Sequence, residues 1–223
     1  MMVLGIETSS AVCSVGLAND TGPIDCISMS ESHIHSEKLQ VLTNQLLEQH
    51  GVAFGQLDAV AISAGPGSFT GLRIGMSSAK GLAFGLGIPL VSVSTFDAVA
   101  ERWKQTGGRG VFSIAVDAKQ GEFYTARYQV NSDGWQRLLE ISVAPLEGVA
   151  KHLVPGTTLT TDRVELFADV KPREFSFVDY ASLMRADVVA VEGLRQLRRG
   201  GNLPDLASAE PMYLKEFVVK PAC

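Results

Sequence analysis

One stretch limits the fold more than any other. Ser63-Ala64-Gly65-Pro66-Gly67-Ser68-Phe69-Thr70-Gly71-Leu72-Arg73 follows a buried-type strand at Ala59 to Ser63 and leads into a long helix ending near Leu86. A strand that delivers a glycine-rich loop into a helix leaves N–H groups unpaired at the positive end of the dipole, which attracts anions. A tight turn that brings the backbone close to a neighbour asks for the same glycines, so both readings stand. It is not a P-loop, because no Gly-Lys-Ser/Thr follows at that spacing, and the dinucleotide fingerprint is also missing.

Inside that helix, Gly71, Gly75, Ala79, Ala83 and Gly87 place a small residue at every fourth position. Glycine in a helix interior costs roughly 1 kcal/mol relative to alanine, so some packing need must offset it. Residues four apart share one ridge, and a bare ridge lets another helix approach closely. Its partner is either the helix of the same chain from Ser36 to His50 or another subunit, and the sequence leaves this open.

The 223 residues suffice for one large domain or two small ones, and 46% hydrophobic against 19% charged residues excludes disorder over most of the length. A net charge of -5 gives no overall reason to bind a polyanion, so service to RNA would go through a partner or a local patch. Cys13, Cys26 and Cys223 have no paired or metal-like spacing and read as reduced thiols of a cytoplasmic protein. No signal peptide is expected, and the apolar run from Ile62 to Val93 is broken by Arg73 and Lys80, so no membrane span is expected.

Met2 to Glu7 and Val12 to Leu17 read as two strands joined by a polar turn, with a third near Ile24 to Met29. Leu39, Leu42, Leu46 and Leu47 recur at helical spacing, with Ser36 as N-cap and Gly51 as the closing glycine. Ser68 is placed to cap the second helix, and Gly87 and Pro89 to end it. A strand at Leu90 to Val93 and a helix at Phe96 to Gln105 complete the first half. The second half opens again with strand, polar turn and strand (Val111 to Val116, Glu122 to Val130), followed by a strand from Trp135 and helices near Leu146 to Leu153 and Ala181 to Arg199. This predicts a duplicated α/β architecture of mixed sheets with helical cover, with domains at 1–106 and 107–223.

Two further turns carry candidate chemistry. Glu7-Thr8-Ser9-Ser10 offers hydroxyls, N–H groups and a carboxylate suited to a phosphate or a hydrated metal; it also reads as a plain polar turn. Asp117-Ala118-Lys119-Gln120-Gly121-Glu122 would oppose it if the halves face each other, and otherwise is an ordinary hairpin. His33, His35, His50 and His152 form no His-x-x-x-His or His-Glu-x-x-His, so no protein-built metal site is expected. No Gly-x-Ser-x-Gly elbow supports a serine hydrolase.

Together, Gly5-Ile6-Glu7-Thr8-Ser9-Ser10, the stretch from Ile62 to Gly75, Asp117 through Tyr124, and Pro211-Met212-Tyr213-Leu214-Lys215 resemble the TsaB (YeaZ) family over most of the chain. The Gly-Pro-Gly-Ser-Phe-Thr-Gly-Leu-Arg-Ile-Gly run is the specific part. The resemblance implies an actin-like (ASKHA, ribonuclease H-like) fold in two domains. It further implies a homodimer when alone, a heterodimer with the TsaD paralogue, and a part in forming N6-threonylcarbamoyladenosine at tRNA position 37. In that system TsaD transfers the group, the TsaE ATPase and TsaB support it, and tRNA is met only through the complex. Where the catalytic paralogue carries a His-x-x-x-His pair, this chain has Thr95 and Val99, neither suited to that metal. Glu7 stands where many relatives have Asp, and Lys119 and Lys215 stand for Arg, which loses the planar fork.

The expectation is therefore a non-catalytic subunit with no cofactor of its own. Its docking surface is expected on Ser36, Leu39, Leu42, Leu46, Gly71, Leu72, Gly75, Met76, Ala79 and Ala83. Leucine at Gly71 or Gly75 should then abolish assembly and leave the monomer folded. ADP or ATP at the junction of the complex would meet Glu7, Thr8, Ser9, Gly65, Gly67, Ser68, Asp117 and Lys119. The alternatives are a stand-alone small-molecule kinase or ATPase of the same superfamily, and a peptidase.

Overall fold

A computed structural model describes residues 1–30, 35–168, 175–200, 203 and 205–215. Strands β1 (Met2–Glu7), β2 (Val12–Asn19) and β3 (Gly22–Ser30) form an antiparallel meander, followed by α1 (His35–Gln49). Ser36 lies inside the first turn of α1 rather than capping it. Gly51 does end α1, with φ 61° and the Val52 N–H donating to Leu47 O at 2.9 Å. β4 (Ala59–Ser63), α2 (Phe69–Leu86), β5 (Leu90–Val93) and α3 (Thr95–Gln105) complete the first half. Ser68 Oγ accepts from Gly71 N at 3.3 Å, and Gly87 closes α2 at φ 67°.

The second half contains β6 (Gly110–Asp117), β7 (Glu122–Val130), β8 (Trp135–Pro145), α4 (Leu146–His152), β9 (Thr158–Thr161), α5 (Val164–Ala168), β10 (Ser176–Asp179) and α6 (Ala186–Arg198). One helix was expected from Ala181 to Arg199. Instead a 3-10 turn at Ala181–Leu183 precedes α6, and the backbone is extended at Arg185, next to which Ala186 N donates to Ser14 Oγ at 3.2 Å.

The duplication is visible in the pairing. The first sheet has order β3-β2-β1-β4-β5 and the second β10-β9-β6-β7-β8, which is the same order read from its other edge. In each, the first three strands pair antiparallel and the fourth and fifth join in parallel. Alternation along the strands divides the first core: Leu4, Ile6, Val60 and Ile62 face α1 and α2, whereas Val3, Ala59 and Ala61 face α6.

The halves exchange their last helices, so neither 1–106 nor 107–223 is a closed unit. α3 lays Phe96, Val99 and Ala100 on Phe112, Ile114 and Tyr128 of the second sheet. α6, from the second half, lies on the first sheet, where its Val188, Val189 and Leu194 join the Val3 side of the core. Burying each such aliphatic side chain contributes about 1.5–3 kcal/mol. Glycines permit this contact: a Cβ on Gly5 would stand 2.0 Å from Ala186 O, and one on Gly16 2.1 Å from Asp187 N. Asp97 ties α3 to the second sheet by accepting from Tyr128 Oη at 2.8 Å and Arg137 Nη2 at 2.6 Å. Where α3 meets α6, Arg195 bridges Glu101 (2.8 Å) and Glu192. Burial pushes the Glu192 carboxyl up to about 7, while Arg195 and Lys104 outweigh burial at Glu101 and hold it low.

Candidate functional site: the cleft between the sheets

The β1–β2 turn, the glycine loop with the start of α2, and the β6–β7 hairpin converge on a cleft of about 1010 Å3. It is lined by Ser9, Ser10, Gly67 and Ser68 on one side and by Asp117, Lys119, Gln120 and Tyr124 on the other. Tyr180 and residues 212, 213 and 215 also reach it.

The first turn is built from the inside. Glu7 is 1% exposed and its Oε1 accepts from Ser9 N and Ser9 Oγ, both at 2.6 Å. Burial raises its pKa, and the bonds from Ser9 and Ser63 work against that shift. Thr8 is fully buried and donates its hydroxyl to Gly71 O at 2.8 Å. Glu7 and Thr8 are therefore structural supports that do not line the cleft, which corrects their expected role. Ser9 lines it with its hydroxyl already engaged.

The glycine loop serves close approach. A Cβ on Gly67 would meet Ser9 O at 2.4 Å, and Ser68 N donates to Ser9 O at 2.7 Å. Gly65 (φ 114°) is covered by Met212 and also does not line the cleft. Gly67 and Ser68 remain at its wall.

The small-residue ridge of α2 turns inward. A Cβ on Gly71 would stand 2.0 Å from Thr8 O, and one on Gly75 2.1 Å from Thr8 Oγ1. Leu39, Leu42, Leu46, Leu72, Met76, Ala79 and Ala83 are at most 4% exposed. Leu39, Leu42, Leu46, Met76, Ala79 and Ala83 belong to the core that holds α1 and α2 onto their own sheet and offer no docking surface, and Gly71 and Leu72 border the cleft instead. The expectation that leucine at Gly71 or Gly75 spares the monomer is corrected with them. The outward faces carry other residues: Val41 is 55% exposed on α1, Phe84 is 80% exposed on α2, and Ser77, Gly81 and Gly85 lie alongside.

Across the cleft, Asp117 is held by four bonds. It accepts from Lys119 N (2.7 Å), Lys119 Nζ (3.1 Å) and Arg163 Nη1 (3.0 Å), and its own N–H donates to Asp162 Oδ1 (2.9 Å). Partial burial raises the carboxyl, but the Lys119 and Arg163 bonds prevail and hold it below the ordinary range. Lys119 and Gln120 adopt φ 64° and 60°, followed by Gly121 at 77°. Non-glycine residues there cost on the order of 1 kcal/mol each, which the Asp117 bonds offset. Arg163 and the 211–215 segment join the site without being marked as site residues by the sequence pattern. Arg163 lies 46 residues from Asp117 and has no local signal.

At the glycine loop, Thr95 Oγ1 bonds Ser63 Oγ at 2.7 Å and accepts from Gly65 N at 3.1 Å. Val99 is 1% exposed in the core beneath the second sheet. Among the described residues, no group of three or more His, Cys, Asp or Glu is placed to hold a metal, and no helix is long and apolar enough to cross a membrane. His33 lies outside the described residues, and His50 pairs with Asp25 at 2.8 Å.

Two like-ordered mixed sheets facing across a cleft define an actin-like α/β protein. The fold alone is shared with the ADPNP-bound activator of 2-hydroxyisocaproyl-CoA dehydratase from Clostridium difficile (TM-score 0.54, 8% identity, covering 90% of this chain and 97% of that one). YeaZ from Pseudomonas aeruginosa superposes with TM-score 0.82 at 26% identity, over 96% of this chain and 99% of that one. Residues 29–209 match the family model described as TsaD, tRNA N6-adenosine threonylcarbamoyltransferase. The tRNA threonylcarbamoyladenosine biosynthesis protein TsaB of Escherichia coli is 36% identical over 135 residues, 60% of this chain and 58% of that protein. TsaB of Haemophilus influenzae is 30% identical over 161 residues, 69% of this chain and 68% of that protein. The chain belongs to the family this model describes and, within it, to the TsaB (YeaZ) branch.

Proposed function

We propose that this chain is a non-catalytic subunit in the formation of N6-threonylcarbamoyladenosine at tRNA position 37, where it binds and supports the TsaD transferase together with the TsaE ATPase. The observation that carries the reading is the use made of Thr95 and Val99. The positions aligned with the paralogue's histidine pair hold a hydroxyl bonded to Ser63 and Gly65 and a core valine. Placing a metal there would disrupt the glycine loop and the second core.

The docking surface in this reading is the outer face of α1 and α2, where Val41 and Phe84 stand exposed beside Ser77, Gly81 and Gly85. Small residues flanking an exposed aromatic suit close helix–helix contact. The same face serves a homodimer when TsaD is absent. A nucleotide in the assembled complex would lie against Gly67, Ser68, Asp117 and Lys119.

The test is a reconstituted threonylcarbamoylation reaction with TsaD, TsaE, threonylcarbamoyl-AMP and tRNA, with and without this chain. Modification that depends on this chain supports the reading. ATP turnover or peptide cleavage by the chain alone returns the kinase or peptidase alternative.

A further inference from the structure

The cleft is backed by the shared apolar cluster containing Val12, Val116 and Tyr180, and crossed at its mouth by residues 211–215. The chain reaches this mouth along α2, where Lys80 Nζ donates to Ala207 O at 2.9 Å and Ala209 O at 3.1 Å. Met212 N then donates to Ala64 O at 2.7 Å, and Met212 O would lie 3.1 Å from a Cβ on Gly65. The Tyr213 ring rests on Phe69 with centroids 5.3 Å apart, and the Arg73 guanidinium also lies 5.3 Å from the centre of the Phe69 ring. Lys215 crosses to the second half: its Nζ donates to Ala118 O (3.0 Å) and Lys119 O (3.3 Å) and pairs with Glu122 at 2.7 Å.

Met212, Tyr213 and Lys215 thus connect the glycine loop and helix start of one half to the hairpin of the other. They do so with groups that remain accessible, Met212 at 39% and Tyr213 at 47% exposed. The crossing rests on one half-exposed ring contact and a few polar bonds, whereas the cluster behind the cleft is a buried apolar core, so the crossing opens at lower cost than the cluster. The hairpin depends on it directly, because Lys215 binds the carbonyls of Ala118 and Lys119, which lead into the left-handed run.

We propose that residues 211–215 form a latch across the cleft, and that its release parts the two halves at the mouth while the rear cluster acts as the hinge. In the closed form Met212 covers Gly65 of the glycine loop; in the open form the loop and the hairpin move apart and the cleft widens.

The test places spin labels at Thr70→Cys and Gln120→Cys, both exposed, in a Cys26→Ser, Cys223→Ser background, and measures the distance across the mouth by pulsed dipolar spectroscopy. Lys215→Ala and Tyr213→Ala should each shift the distribution to longer distances and broaden it, while Lys215→Arg stays close to the parent. Hydrogen exchange of the Ala118 and Glu122 amides should rise roughly tenfold in Lys215→Ala, the ratio expected for losing about one charge-assisted bond. Amides of β1 and β4 should not change. Unchanged distances in both variants overturn the latch, as does an exchange increase spread evenly over both sheets.

Discussion

The direction of the α2 ridge can be tested within one helix. Gly75 and Gly81 are both interior to α2, yet a Cβ on Gly75 would stand 2.1 Å from Thr8 Oγ1 and 3.0 Å from Ile62 Cδ1, while one on Gly81 meets nothing within 4 Å. In Gly75→Ala the helix gains roughly 1 kcal/mol of propensity. Against this, the buried Thr8 hydroxyl must leave Gly71 O, at about 1–3 kcal/mol, and the overpacked site adds about 1–3 kcal/mol. The net expectation is destabilisation of about 1–5 kcal/mol, hence a fall in Tm of at least about 2 °C at 2–4 °C per kcal/mol for a chain of this size. Gly81→Ala should instead raise stability by about 0.5–1 kcal/mol. Urea unfolding followed by circular dichroism, with thermal melts alongside, measures both. A Gly75→Ala protein as stable as the parent, or a Gly81→Ala protein less stable than Gly75→Ala, would refute the inward orientation.

Other outcomes follow from the same geometry. Gly16→Ala should cost more than Gly75→Ala in the same assay, because its Cβ would meet the Asp187 backbone at 2.1 Å and backbone cannot swing away. Glu192 has a folded pKa raised from 4.5 to about 7, so its destabilising contribution is absent below pH 4.5, grows as pH rises to 7 and is complete above it. Glu192→Gln should therefore be more stable than the parent at pH 8 by at most about 3 kcal/mol, with the gain vanishing at pH 4, as read from unfolding midpoints across pH. Ser68→Ala should cost about 0.5–2 kcal/mol by loss of the α2 cap, measured by urea unfolding.

Some features were legible in the sequence for physical reasons that act locally. The alternating and continuous apolar runs gave β1, β2, β4, β5, β6 and β7 nearly to the residue, and glycine chemistry marked the ends of α1 and α2 at Gly51 and Gly87. The four-residue period of the ridge was visible, but its direction was not. That direction is set by Thr8, 63 residues from Gly71, and a small residue suits a sheet-facing ridge as well as a subunit-facing one. The exchange of α3 and α6 between halves was hidden because it rests on contacts such as Gly5 with Ala186 that no local pattern reports. Of the residues expected to meet a nucleotide, Ser9, Gly67, Ser68, Asp117 and Lys119 line the cleft. Glu7, Thr8 and Gly65 were misplaced because a carboxylate, a hydroxyl and a glycine serve a buried turn as readily as a ligand. The left-handed run at Lys119 and Gln120 had no signal, since neither residue type favours that conformation.

The most direct measurement of the central claim is sedimentation velocity of this chain with its TsaD paralogue, comparing the parent, Phe84→Asp and Lys151→Asp. Phe84 is 80% exposed on the outer face of α2, while Lys151 is exposed on α4 of the second half, away from the proposed surface. The account predicts a heterodimer with the parent and with Lys151→Asp, and separate species with Phe84→Asp although that variant remains folded. A heterodimer that forms equally well with Phe84→Asp, or no complex with the parent, would contradict it.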